Sequence, residues 1–113
     1  MFNIYTHLGA IRARPGLYLG KPSLSRLDFY LQGYQSALFD HGVAYERVGI
    51  WREGSRELPR FHEWTARRLD FDLGSISYTQ AILQRTSDEA AALDLFWLLL
   101  DEYRALEAAL ASK

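Results

Sequence analysis

Three histidines, His7, His41 and His62, are the side chains best suited to bind a metal or to transfer a proton near neutral pH. A metal site on one helix needs two such ligands one turn apart, and no two of these histidines have that spacing. His62 is followed by a glutamate but lacks the second histidine of a zinc-protease motif. We therefore expect the histidines at the surface or at helix ends, with no metal and no cofactor.

Acidic and basic side chains also form clusters. Adjacent carboxylates on a helix diverge by about 100°, so they cannot easily share one substrate atom. Five arginines follow one another in the central part of the chain and could either bind an anion or form a solvated rim: Arg52, Arg56, Arg60, Arg67 and Arg68. An anion pocket would suit a small enzyme that acts on a phosphorylated or ADP-ribosylated substrate. The sequence has neither a nucleophile-elbow motif nor a P-loop, which favours a binding protein without enzymatic activity.

Aromatic residues accompany these arginines. Trp51, Phe61 and Trp64 lie in the least regular part of the chain, and tryptophan and arginine dominate the hot spots of protein interfaces. Two interpretations remain open: the tryptophans contact a partner, or they cover the core beneath a long loop. The candidate partner-binding residues are Trp51, Arg52, Arg60, Trp64, Asp70 and Asp72.

Residues 14–20 read Arg-Pro-Gly-Leu-Tyr-Leu-Gly and resemble a loop at the front of the ATPase domain of type II topoisomerases. That family also needs a helical acidic base with an asparagine, an Asp-Gly turn and a glycine-rich lid, none of which this sequence contains. We interpret the segment as a structural loop, in which proline ends a helix, glycine turns the chain, and Tyr18 packs on the core with Leu17 or Leu19. Its structural residues are Arg14, Pro15, Gly16, Tyr18 and Gly20.

Composition and charge limit the class of protein. The chain has 113 residues, of which 49% are apolar and 24% charged, and we expect one domain covering residues 1–113. It has no cysteine, which excludes disulfides and thiol chemistry. The longest strongly apolar run, residues 95–100, is too short to cross a bilayer, and no secretory leader is visible. We expect a soluble, cytoplasmic protein that does not bind a membrane.

Charge is distributed unevenly around a net value of −1, which argues against a nucleic-acid partner. Residues 1–69 hold ten basic and six acidic side chains, whereas residues 70–113 hold three basic and eight acidic ones. The C-terminal part is therefore acidic, and an acidic surface would suit a partner with a basic active-site cleft. We expect Asp70 and Asp72 to contribute to that surface.

Helices, which the periodic spacing of apolar residues predicts, must position all of these side chains. We predict a mainly α fold: one compact helical domain of about five helices packed round a long C-terminal helix, with an irregular middle loop at residues 43–58. Asn3 and Ser23 or Ser25 are candidate N-caps, and Pro59 suits the first turn of a third helix. Thr86 and Glu89 have capping-box spacing at the start of the last helix. Its predicted buried face comprises Leu93, Phe96, Leu100 and Tyr103.

Taken together, the segments RPGLYLG, SLSRLDFYLQGYQSAL, FHEWTARRL and DEAAALDLFWLLLDEY resemble a family of small, largely uncharacterised bacterial cytosolic proteins. Several members look like immunity proteins, which neutralise a cognate antibacterial toxin by binding it. The resemblance implies a toxin domain as partner and assigns specificity to residues 43–60, which match nothing in the family. A homodimer that pairs through the last helix is the alternative from another class.

Overall fold

The computed structural model describes residues 1–113 and contains six α-helices and no β-strand. In chain order the helices are α1 (Ile4–Ala13), α2 (Pro15–Leu19), α3 (Leu24–Asp40), α4 (Phe61–Leu69), α5 (Tyr78–Gln84) and α6 (Glu89–Ala111). A 3₁₀ turn, Gly49–Trp51, interrupts the stretch between α3 and α4. The predicted mainly α fold with a long C-terminal helix is confirmed, and α2 is the helix that the sequence did not predict.

Four of the six helices, α1, α3, α5 and α6, begin at polar residues whose side chains satisfy free N–H groups of the first turn. Asn3 accepts a hydrogen bond from the N–H of Tyr5, and Ser23 accepts one from the N–H of Arg26. At α6 the predicted Thr86–Glu89 capping box is wrong. Asp88 is the N-cap there, and the Thr86 hydroxyl donates back to the Ile82 carbonyl at 2.9 Å. The Glu89 side chain is therefore not used to cap α6 and can contact another helix.

Helix α6 supplies the centre of the hydrophobic core. Its predicted face is buried, and Trp97 beside that face is only 6% exposed. Helices α3 and α5 pack against α6, and burial of one such large apolar side chain stabilises the fold by roughly 1.5–3 kcal/mol. The hydroxyl of Tyr103 donates to the Pro59 carbonyl at 2.7 Å, and burial raises the pKa of Tyr103 to about 12. This tyrosine therefore ties the core to the chain that leads into α4.

The segment at residues 14–20 is a helical turn and not the irregular loop that we expected. Pro15 ends α1 and occupies the first position of α2, where its missing N–H costs no hydrogen bond. Gly20 ends α2 with a φ of +81°, and a side chain there would lie 2.6 Å from the Arg26 guanidinium. Leu19 enters the core, whereas Leu17 is 70% exposed.

Residues 43–60, hereafter the middle segment, are irregular as predicted but are attached to the rest of the fold at several points. Tyr45 forms an isolated parallel bridge with Phe2. Leu58 is 3% exposed and inserts into the core. Helix α4 then begins at Phe61, so Pro59 lies before the helix and not in its first turn.

None of the six helices is both long enough and apolar enough to span a membrane.

Candidate binding face

A buried carboxylate on α6 fixes the middle segment to both ends of the chain. Glu107 is 9% exposed, and it accepts hydrogen bonds from the Tyr5 hydroxyl of α1 and from the N–H of Gly49, the latter at 3.1 Å. The Arg52 guanidinium lies 3.4 Å from the same carboxylate. Burial, reinforced by the bond to Glu107, raises the pKa of Tyr5 far above its ordinary value, so the phenol remains a donor.

Gly49 allows the middle segment to approach this carboxylate. Its φ of +62° lies in the left-handed region, and a side chain there would lie 3.0 Å from the Tyr5 ring. Any other residue would therefore strain the backbone and push the segment away from α1. The position requires glycine for both reasons.

The two tryptophans that were candidates for partner contact pack against the core. The Trp51 ring lies 5.1 Å from that of Tyr45 and 5.9 Å from that of Phe2, as measured between centroids. The Trp64 ring lies 5.4 Å from that of Tyr103. Both tryptophans are half-buried, so each covers the core and leaves one edge exposed.

An open polar cleft lies where the middle segment turns into α4, and we call it the arginine cleft. Its volume is about 390 Å³, and it is lined by Gly54, Ser55, Arg56, Pro59, Arg60, Glu63 and Arg67. Arg60 is 3.2 Å from Glu63, whereas Arg56 and Arg67 form no salt bridge and no side-chain hydrogen bond. The cleft therefore holds three guanidinium groups and one carboxylate, with two cations free to bind.

Local hydrogen bonds stabilise the turn between Ser55 and Leu58, which borders the cleft. The N–H of Ser55 donates to the Leu58 carbonyl at 2.8 Å, and the N–H of Leu58 donates to the Ser55 hydroxyl at 3.2 Å. Because Leu58 is anchored in the core, this turn holds Arg56 at the surface. Arg60, which directly precedes α4, and Arg67, in the last turn of that helix, are about two turns apart along the other part of the lining.

The structure separates Asp70 from Asp72. Asp70 ends α4 in the left-handed conformation, with a φ of 56°, and lines a neighbouring depression of about 250 Å³ together with Glu63 and Arg67. The Asp72 carboxylate accepts a hydrogen bond from the N–H of Gly74 at 3.1 Å and so closes a turn. Asp70 is thus brought beside the arginine cleft, while Asp72 is engaged in local structure.

Most carboxylates of the acidic C-terminal part are used within the fold. Glu89 accepts hydrogen bonds from the N–H and hydroxyl of Ser25 and from the Ser23 hydroxyl, and the bonds from Ser25 are the main cause of its lowered pKa. Asp101 pairs with Arg12 at 2.9 Å. Of the eight acidic side chains in residues 70–113, six have such partners: Asp72, Asp88, Glu89, Asp101, Glu102 and Glu107.

The histidines lie apart from one another, and no group of three or more histidine, cysteine or acidic side chains is placed to hold a metal ion. His7 contacts the Tyr30 hydroxyl at 2.8 Å, and burial lowers its pKa. His41 lies at the C-terminal end of α3, and His62 packs edge-on against Phe71.

Sequence reasoning noted the arginines of the cleft but missed both Glu63 and Glu107. Glu107 had a usable signal: it follows Tyr103 by four residues and so continues the buried face of α6. A carboxylate at such a position predicts a buried charge that needs donors. Glu63 gave no comparable signal, because its role depends on where the middle segment turns.

No known family model, no curated protein and no solved structure matches this chain. Its function must therefore be argued from its own residues and contacts.

Proposed function

We propose that the chain is a bacterial, cytoplasmic immunity-type protein that binds a cognate antibacterial toxin and neutralises it by protein–protein contact. The observation that carries the proposal is the arginine cleft, in which the unpaired Arg56, on an irregular segment that the core holds in place, lies near the unpaired Arg67 of α4. Such a surface suits the recognition of one particular partner.

The attachment of the middle segment to the core supports this proposal, because it makes the segment rigid. The middle segment is attached to the core through the Tyr45 bridge, the Gly49 contact with Glu107 and the buried Leu58. A binding surface that is already ordered loses less entropy when the partner binds, which increases affinity. This smaller loss of entropy would help an inhibitor to bind a toxin that is present at low concentration.

The different roles of the segments along the chain also support the proposed function. Two of the motifs that carry the resemblance to immunity-type proteins are used for packing, since Gly20 accommodates Arg26 and the α6 face forms the core. A third, FHEWTARRL, also supplies Glu63 and Arg67 to the cleft. The segment without any resemblance contributes Arg56 to the surface and Arg52 to the Glu107 contact. In this proposal the scaffold is shared within the family and the middle segment selects the toxin.

The direct test is capture of partners by the tagged full-length chain from its native cell, followed by reconstitution with the captured protein. We expect a stoichiometric complex with a toxin domain and restored growth of cells that express this toxin when the chain is co-expressed. The Arg14→Gln variant, whose exposed side chain lies outside the cleft, should protect as well as the wild type. Failure of the chain to restore growth against any stoichiometric partner would contradict the proposal.

Exposed leucines on α6 favour one second candidate, a homodimer. Leu98 is 52% exposed and Leu106 is 40% exposed, although the rest of the apolar surface of this helix is mostly covered. Sedimentation over a range of concentrations separates the two candidates. A dimer that Leu98→Glu dissociates would favour the homodimer, whereas a monomer at all concentrations would exclude it.

A further inference from the structure

The arginine cleft has an excess of positive charge that the fold itself does not use. Arg60 is shared with Glu63, but Arg56 and Arg67 face the cleft without an acidic partner. Most other arginines of the chain have partners, as Arg12 binds Asp101 and Arg52 binds Glu107. An unpaired pair of guanidinium groups in one cleft is therefore unusual within this molecule.

The lining of the cleft indicates the chemistry of its ligand. The lining is mainly polar, so the cleft offers chiefly charge and hydrogen bonds and little apolar surface. A guanidinium presents its donors as a planar fork that matches an oxyanion with two oxygens. The volume of about 390 Å³ is at the lower end for a ligand site, which suits a short group.

Acidic side chains at the margin discriminate between kinds of oxyanion. Glu63 lies in the cleft, and Asp70 lines the adjoining depression next to Arg67. A continuous polyanion such as a nucleic acid would place some phosphates against these carboxylates and be repelled. Separate carboxylate side chains on a folded protein can meet Arg56 and Arg67 without that penalty.

We infer that the arginine cleft receives aspartate or glutamate side chains from an acidic surface of the partner protein, with Arg56 and Arg67 as the contacting cations. This inference rests on the proposed function and names the partner chemistry at the same site. It assigns to the toxin the negative side of this contact, opposite to the sign expected from the acidic C-terminal part. Glu63 holds Arg60 at the margin.

The first experiment uses as its probe a short peptide in which two glutamates are separated by three alanines, with the protein at low ionic strength. NMR titration should show shifts at the backbone and side chains of Arg56 and Arg67. Substitution of both residues (R56Q with R67Q) should weaken peptide binding by about fivefold, the effect of two exposed ion pairs. The matched control carries R14Q with K113Q, which removes the same charge from exposed side chains elsewhere and should leave affinity within about twofold.

Two outcomes would overturn the inference. Equal weakening in both double variants would mean that only net charge matters. Tighter binding of inorganic phosphate or of a short oligothymidylate than of the peptide with two separated glutamates, when mapped to the same arginines, would assign the cleft to phosphate groups instead.

The test with the toxin separates this inference from the proposed function. If R56E with R67E abolishes protection while the Arg14→Gln control still protects, both are supported. If protection persists in the double reversal, the cleft is not the contact and the immunity function stands. If peptide binds at the arginines but the chain protects against no partner, the immunity function fails and the charge preference of the cleft remains.

Discussion

Residues 70–113 and residues 43–69 both carry many charges, but the fold uses those charges in different ways. In the C-terminal part six of eight carboxylates have partners within the molecule, including the buried Glu107 and the serine-bound Glu89. In the earlier region four of six arginines also have carboxylate partners, but the two without one, Arg56 and Arg67, line the same cleft at the surface. The part with the larger net charge is therefore the structural one, and net charge along a sequence does not locate a binding surface. Substitutions in the C-terminal part should change stability, whereas substitutions in the cleft should change partner binding.

The largest effect is expected at Glu107. Glu107→Ala removes the acceptor of the Tyr5 hydroxyl and the Gly49 N–H and leaves Arg52 unpaired, which should lower the free energy of unfolding by about 3–5 kcal/mol. Asp94→Ala, which removes an exposed carboxylate on the same helix, should change it by no more than about 0.5 kcal/mol. Urea denaturation measures both. Similar losses would break the contrast between structural and free carboxylates.

The attachment of the middle segment is tested at two glycines with similar φ. Gly49→Ala adds a contact with Tyr5 to the cost of the left-handed backbone and should destabilise by about 2–3 kcal/mol. Gly42→Ala has open space around the new side chain and should lose only about 1 kcal/mol. Thermal and urea unfolding would measure the two losses of stability. Equal losses would mean that the close approach of residue 49 to Tyr5 does not restrict the side chain at that position.

Acid should reveal the structural use of Glu89. Its pKa is lowered in the folded state, so its contribution to stability is complete above the ordinary value of 4.5 and is lost as pH falls through the folded value. Glu89→Gln should reduce the dependence of unfolding free energy on pH below 4.5. Asp94→Asn is the control and should retain the wild-type dependence. An unchanged profile in Glu89→Gln would mean that the serine contacts do not stabilise the carboxylate.

The smallest effect on stability is expected at the cleft. Arg56→Gln and Arg67→Gln remove exposed side chains without partners and should each change the free energy of unfolding by less than about 0.5 kcal/mol. Their effect belongs to partner binding, as the peptide titration measures. A large loss of stability from either substitution would show that the cleft is structural and would remove the contrast between the two regions.

Local patterns predicted much of the fold. The buried face of α6 from Leu93 to Tyr103 follows from apolar spacing, and the predicted caps Asn3 and Ser23 begin α1 and α3. The helical turn at Pro15 was missed because proline and glycine are equally typical of a loop, and only the contact of Leu19 with the core decides between them.

The site was predictable only in part, because it depends on long-range contacts. Trp51 and Trp64 have the composition of an interface, and only the tertiary structure shows them covering the core. Arg52 and Arg56 are equivalent in sequence, yet one pairs with Glu107 and the other lines the cleft. The partners of the C-terminal carboxylates lie up to 102 positions away, as Tyr5 does from Glu107, and no local pattern encodes that distance.

The bond between Tyr5 and Glu107 also constrains the order of folding during synthesis. A growing chain exposes α1 first, but the acceptor for its tyrosine is translated 102 residues later. Domains fold as units once their long-range contacts can form. The middle segment can therefore acquire its anchor at Gly49 only after α6 has been synthesised, and until then Gly49 and Tyr5 lack their shared acceptor.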